Sequence, residues 1–349
     1  MKKRGLLAVI IGLALFFLFA FPSIGVCASG KVTKLVFADY YPPTHTNVKT
    51  IEWWGSKIEK RSKGRVKFEY YWNSSLMPAR EEMSAIKNNV IQLCTLPSGY
   101  FPDLAPITAM TAAPMLHIGS FESSMKATDE FNHTNSVVQK EFENLNVKFL
   151  FTLGAADHYL WSKKPIETLS DISGLTVRTY GHFTTLFKAL GASLVSVTLP
   201  EIYNALERGL VNSSTSYLSP AIGNRVYEVT DYLIKTNLGH NNNGPVAINL
   251  DTWINLPDDI KQIIEETNVE ASAKYLQLNR EDYTTNMNIV KTRGLTISEL
   301  PATDVEKLRE IAREKIWEPV AKRVDAKGIE FTKAWEEYLK IIDKYRSSE

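Results

Sequence analysis

Few of the signatures that announce catalysis occur in this sequence. There is no G-x-S-x-G elbow, no P-loop, no G-x-G-x-x-G and no H-E-x-x-H, which removes the usual hydrolase, phosphate-loop, dinucleotide and zinc-protease readings. The six histidines, His45, His117, His133, His158, His182 and His240, stand singly and without metal-ligand spacing, so neither a metal nor a cofactor is expected. Basic and acidic residues nearly cancel, 40 against 39, and no long basic run occurs. Nucleic acid and an anionic membrane surface both need clustered Lys and Arg, so neither is an expected partner. The carboxylate pairs Glu81-Glu82 and Asp258-Asp259 open helical patterns, where negative charge complements the helix dipole; they do not read as an acid and base pair. Cysteine is scarce as well, with Cys27 and Cys94 the only two, and Cys94 sits inside an apolar run where a thiol is inert core. An enzyme is not expected.

What is present begins at the N-terminus. Lys2, Lys3 and Arg4 precede an apolar run from Leu6 to Phe21, then Pro22 and small residues. This is the layout of a secretory signal, and the run is short of the roughly 20 residues a membrane-spanning helix needs. Val26-Cys27-Ala28 supplies a small-x-small cleavage site, so residues 1–28 read as a signal peptide and the mature chain begins at Ser29 in the periplasm, with no membrane insertion thereafter. A lipid anchor on Cys27 is the rival reading, opposed by Val26, where lipoprotein signals carry a smaller residue. Cleavage removes three basic residues and no acidic one, leaving 37 against 39. It also leaves Cys94 alone, so the core must hold the fold without an internal disulfide.

The mature chain of about 320 residues is more than one core usually serves, which predicts two α/β lobes. No Pro/Gly/Ser-rich linker, low-complexity tract or fixed-period repeat separates them, so the lobes are expected to interleave along the chain. Short apolar strand patterns alternate with amphipathic helices: strand 34–38, a helix from about Asn47 to Lys63 capped by Thr44, Thr46 or Asn47, strand 65–72, helix 82–87 and strand 91–96. The second half continues with strands 148–152, 159–162 and 175–179, helices 182–190 and 199–208, and strand 246–250. Pro257 then opens a helical pattern unbroken to Gly294, long enough to span both lobes. Helices 302–324 and 331–345 finish the chain.

The segment Asp171-Ile172-Ser173-Gly174-Leu175-Thr176-Val177-Arg178-Thr179-Tyr180-Gly181 carries one arginine to the C-terminal end of a strand, where α/β sheets hold ligands. An arginine there forks onto a carboxylate or sulfonate with two parallel charge-assisted hydrogen bonds; from position alone a structural arginine is the equal alternative. Other expected wall residues lie on loops at strand ends: Tyr40 and Tyr41, Ser98 and Tyr100, Leu199, and Asn242 with Asn243.

Taken with Ala189-Leu190-Gly191-Ala192-Ser193, Glu201-Ile202-Tyr203-Asn204-Ala205-Leu206-Glu207-Arg208-Gly209-Leu210-Val211 and Leu256-Pro257-Asp258-Asp259, this segment resembles the solute-binding proteins of TRAP transporters, the DctP-like family. The resemblance implies a periplasmic-binding-protein-like α/β fold, two lobes joined by hinge strands and a long lobe-bridging helix, which closes over a small organic acid. It implies lobe I at 29–154 plus 244–280 and lobe II at 155–243 plus 281–349. It also implies delivery to a small and a large membrane subunit, and a salt bridge from Arg178 to the ligand carboxylate. Where many members place an amide after the Gly-Leu-Val turn, this chain has Ser216 followed by Tyr217. Where some carry a second arginine, it has Asp157 and His158. A monoacid is therefore expected. A binding protein serving an ATP-driven importer or a sensor kinase, and a periplasmic enzyme, are the alternatives.

Overall fold

Among the described residues eight strands are hydrogen-bonded along one path, in the order β2-β1-β3-β8-β4-β7-β5-β6, and a ninth, β9, pairs with β8 off it. They are β1 (Thr33–Ala38), β2 (Val66–Tyr71), β3 (Leu93–Thr95), β4 (Val147–Ser162), β5 (Thr176–Arg178), β6 (Ser193–Val195), β7 (Ser213–Ser216), β8 (Tyr232–Asn249) and β9 (Thr296–Glu299). The computed structural model describes residues 32–117 and 120–347, the side chains of residues 155–156 and 241–243 excepted. The signal expected at residues 1–28 lies outside the described residues. Among the described residues no helix is long and apolar enough to cross a membrane.

Two of these strands decide the architecture. β4 and β8 run antiparallel over their whole lengths, and their register shifts repeatedly between Phe149 and Tyr159. On one side of the shifts the end of β8 pairs with β3, Leu93 opposite Ile248, and β3 leads on to β1 and β2. On the other side β4 pairs with β7, Tyr159 opposite Ser216, while the start of β8 carries β9. Each strand thus enters one α/β lobe and leaves through the other. The sequence pattern divides them: 148–152 and 159–162 read as two strands, and only 246–250 of β8 was legible. Between these pieces the alternation of apolar and polar residues lapses, and cross-strand backbone bonds carry the extended chain instead.

The helices follow their apolar periodicity more faithfully. Helix α1 (Thr46–Arg61) buries Val48, Ile51, Trp54 and Ile58 on one face, each worth about 2 kcal/mol against exposure. Its N-cap is His45, whose side chain accepts from the Asn47 amide, and not the expected Thr or Asn. Helix α2 is Glu82–Lys87, α3 is Gly181–Ala189, and α4 (Ile202–Glu207) follows a single 3-10 turn at Leu199–Glu201. Helix α5 (Asp258–Arg293) runs for 36 residues, with Asp258 and Asp259 in its first turn, Lys291 and Arg293 in its last, and Gly294 beyond it at φ 85°. That is roughly 54 Å of helix. Trp54 Nε1 donates to Asn268 Oδ1 at 2.9 Å and Tyr275 donates to the Gly154 carbonyl, while Met287 and Val290 pack with Leu218, Ala221 and Val226. α5 is therefore riveted to both lobes.

At the C-terminus the helix expected at 302–324 is interrupted. α6 (Ala302–Ala312) passes through a π turn at Arg313–Trp317 into α7 (Glu318–Asp325). Pro319 has no N–H to give and its ring crowds the carbonyl four residues back, so the wider turn absorbs the clash. α8 (Phe331–Arg346) closes the chain.

Gly244 is a tight point of the crossing, since a Cβ there would lie 2.4 Å from the Leu153 carbonyl oxygen. Gly244→Ala must push β8 away from β4, and we expect a loss of about 2 kcal/mol in denaturant unfolding. An unchanged midpoint would show that this backbone approach is not needed.

Candidate functional site

β5 and β7 run parallel, with Arg178 opposite Ser214, so their C-terminal ends deliver Arg178 and Ser216 to the same place. Arg178 is fully buried. Its Nε donates to the Val197 carbonyl at 2.9 Å and its Nη1 to the Thr215 carbonyl at 3.2 Å. Nη2 has no acceptor in hydrogen-bond geometry, although the guanidinium acts on the Tyr100 phenol and lowers it against the rise that burial imposes. The Tyr180 ring lies 5.1 Å from the guanidinium carbon. Among the described residues, no carboxylate is within salt-bridge range of Arg178.

A small space in front of this arginine, open in part to solvent, is lined by Tyr40, Tyr41, Tyr100, Leu199, Ser216 and Tyr217, along with Arg178 itself. Six of the expected wall residues thus meet Arg178 at one cavity. Tyr40 and Tyr41 follow β1, Tyr100 follows β3, and the others come from the β5–β7 side. Hydrogen bonds tie the two sides: Tyr217 OH donates to Tyr41 OH at 3.0 Å, and the Leu199 amide donates to Tyr100 OH at 3.2 Å. Further out, Arg80 Nη2 donates to Ser196 Oγ at 2.9 Å and Lys49 pairs with Asp282 at 2.8 Å. The two sides of the cavity are thus bonded directly to each other. Burial pushes the phenols of Tyr40, Tyr41 and Tyr217 well above their usual range, so this wall is neutral. Ser216 Oγ is buried with no partner on the protein.

Not every expected residue lines the cavity. Ser98 is buried between Pro97 and Gly99, which do line it. His158 lies one layer behind, its Nε2 3.2 Å from Tyr180 OH and its ring stacked on Phe183 at 4.4 Å. Burial, helped by the Arg178 charge, pushes the His158 imidazole down to about 3; it is neutral and no substitute for a second arginine. The side chains of Asn242 and Asn243 lie outside the described residues. Tyr180, Pro97 and Gly99 were missed, although Tyr180 follows Arg178 by two positions and its place over the guanidinium was available from that spacing.

Glu82 corrects another reading. It stands in the first turn of α2, as expected, but is fully buried with no partner on either oxygen. Burial, and then the nearby Asp39, push its carboxyl well above the usual range, while burial pushes Asp39 up to about 7. Glu82 is accordingly held as the neutral acid and adds little to the helix dipole. Asp258 and Asp259 are exposed, and Asp259 pairs with Arg65. Among the described residues no group of three or more His, Cys, Asp or Glu could hold a metal ion.

The sequence model of the family described as bacterial extracellular solute-binding protein, family 7 (DctP) matches residues 37–323. The chain belongs to this family. Solved structures agree on the fold of this solute-binding protein. A TRAP periplasmic solute-binding protein from Desulfovibrio salexigens, with bound orotic acid, superposes with a TM-score of 0.80 at 22% identity, covering 88% of this chain and 99% of that one. A TRAP solute-binding protein from Rhodoferax ferrireducens T118, in complex with copurified benzoate, gives a TM-score of 0.82 at 20% identity, covering 91% and 99%. Among curated relatives, the 2,3-diketo-L-gulonate-binding periplasmic protein YiaO of Escherichia coli K12 is 23% identical over 244 residues, 69% of this chain and 73% of its own. The family and these neighbours are ligand-binding components of transporters.

Burial also pushes His45 and His117 down to about 3. With His158, these groups bind fewer protons folded than unfolded between about 3 and 6.5. Their contribution to stability is complete above pH 6.5 and is lost as the pH falls toward 3. In NMR titration from pH 8 to 5 all three imidazoles should hold their neutral shifts while the more exposed His133 titrates. Movement of the His158 signal in that range would refute its burial behind Tyr180.

Proposed function

We propose that this solute-binding protein captures a small monocarboxylate in the cleft, with Arg178 as its counter-charge, and delivers it to the small and large membrane subunits of a TRAP transporter. The observation that carries this reading is the burial of a guanidinium held by two carbonyls and by no carboxylate. A buried charge without a counter-ion is costly, and an anion accepting from the unpaired Nη2 group relieves that cost. The phenols and the Ser216 hydroxyl then supply neutral contacts around the acid. Orotate and benzoate, bound by the neighbours, are small acids of this class. His158, neutral and set back, offers no second cationic anchor, which favours a monoacid over a dicarboxylate.

Secretion through a cleavable signal and residence in the periplasm belong to the same reading. So does division into lobe I (29–154 plus 244–280) and lobe II (155–243 plus 281–349), with the register shifts of β4 and β8 as the hinge. Closure by rotation about those strands excludes water and strengthens the pairing at Arg178. The closed form is what the membrane subunits would recognise, and a ligand favours it only by the extra affinity it has for it.

Purified Ser29–Glu349, unfolded and refolded to strip carried-over ligand, should show a higher melting temperature with one class among mono- and dicarboxylates, aromatic acids, keto acids and sulfonates. Arg178→Ala should weaken binding of that acid at least about 100-fold, and Arg178→Lys, which keeps the charge but not the fork, should recover only part of it. Equal affinity in Arg178→Ala would end the reading.

A further inference from the structure

Tyr217 has a second face. Beyond it lies another small space, open in part to solvent and lined by His45, Tyr159, Tyr217, Tyr275, Asp282 and Tyr283 among others. Tyr217 is the wall common to both spaces. Its hydrogen bond to Tyr41 forms the partition, and the Tyr41 ring in turn packs on His45 at 4.2 Å.

His45 is the informative member of this second chamber. The Asn47 amide donates to its Nδ1 at 2.9 Å, so the neutral imidazole carries its proton on Nε2. That N–H is buried and has no acceptor on the protein, in a residue only 1% exposed. Several polar groups around the chamber are engaged: Thr46 Oγ1 donates to Asp282 Oδ2 at 2.7 Å, Lys49 Nζ to Asp282 Oδ1 at 2.8 Å, and Tyr275 to the Gly154 carbonyl. The His45 Nε2–H is thus a buried donor at the chamber wall with no acceptor on the protein. Asp157 and Asp282 also face it, so a second carboxylate would meet like charge, whereas a neutral oxygen would not.

We infer that the two spaces are the two ends of one ligand site: a carboxylate pairs with Arg178, and a hydroxyl, keto or amide oxygen at the far end of the same molecule accepts the His45 Nε2–H when the Tyr41–Tyr217 bond parts to admit it. This rests on the monocarboxylate reading of Arg178 and extends it to a ligand with one charged and one neutral polar end. A buried N–H without a partner is disfavoured, and the ligand's oxygen repairs it. Tyr217 then sets which ligands are long enough to reach.

The test is calorimetric titration of the stripped mature protein with a ladder of straight-chain ω-hydroxy acids, each matched to its unsubstituted parent and to the dicarboxylate of the same length. At one chain length the hydroxy acid should bind roughly ten-fold tighter than both. His45→Ser keeps an N-cap acceptor for α1 while removing the N–H, and it should abolish that preference, read as the ratio of hydroxy acid to parent acid affinity within the same variant. Wild-type protein with no preference at any length, or a preference that survives in His45→Ser, overturns the inference and leaves the Arg178 reading standing. Acids bound equally well by Arg178→Ala, or by no form of the protein, overturn the reading and the inference together.

Discussion

A guanidinium buried among carbonyls and aromatic rings, with no carboxylate beside it, is the constraint on which the rest of this molecule turns. Such a group is held only if the backbone around it is fixed. The fixing is done by the parallel ends of β5 and β7 and by the turn that presents the Val197 carbonyl. Those short strands are themselves supported by β4, which pairs with β7 and leads into the other lobe. The position of one cation is thus tied through three strands to the crossing between the lobes.

Around that cation the wall is phenolic. Tyrosine rings give apolar surface to a ligand, while their hydroxyls bond to one another, Tyr40 to Tyr41 along one side and Tyr217 to Tyr41 across the cleft. Because burial keeps all three protonated, they add no charge of their own, and the field in the cavity is set by Arg178. Closing such a wall removes water, and an ionic pair gains strength as the surrounding polarity falls.

Much of this was legible from the sequence, where local chemistry determines the answer. α1, α2 and α5 follow from apolar spacing and from the Pro257 and Gly294 boundaries, and the strand-end position of Arg178, Tyr40, Tyr41, Tyr100, Leu199 and Tyr217 was enough to gather them into one cavity. The continuity of β4 and β8 was not legible, because their central residues are extended by cross-strand pairing and not by any alternation of their own. Nor was the depth of Glu82 and His158: a polar residue at a helix start or beside a strand carries no sign of how much protein folds over it. The His45 cap was hidden for a related reason, since histidine is an uncommon N-cap and three better candidates surround it.

The continuous course of β4 and β8 bears on how such proteins change over generations. Each of these strands contributes to both halves, so no single cut in the gene separates one half from the other. Exchanging a binding half between relatives takes several simultaneous junctions, each inside a paired strand whose register must survive. New ligand preferences therefore come most readily from substitutions at strand ends, where a side chain alters the cavity and leaves the crossing intact.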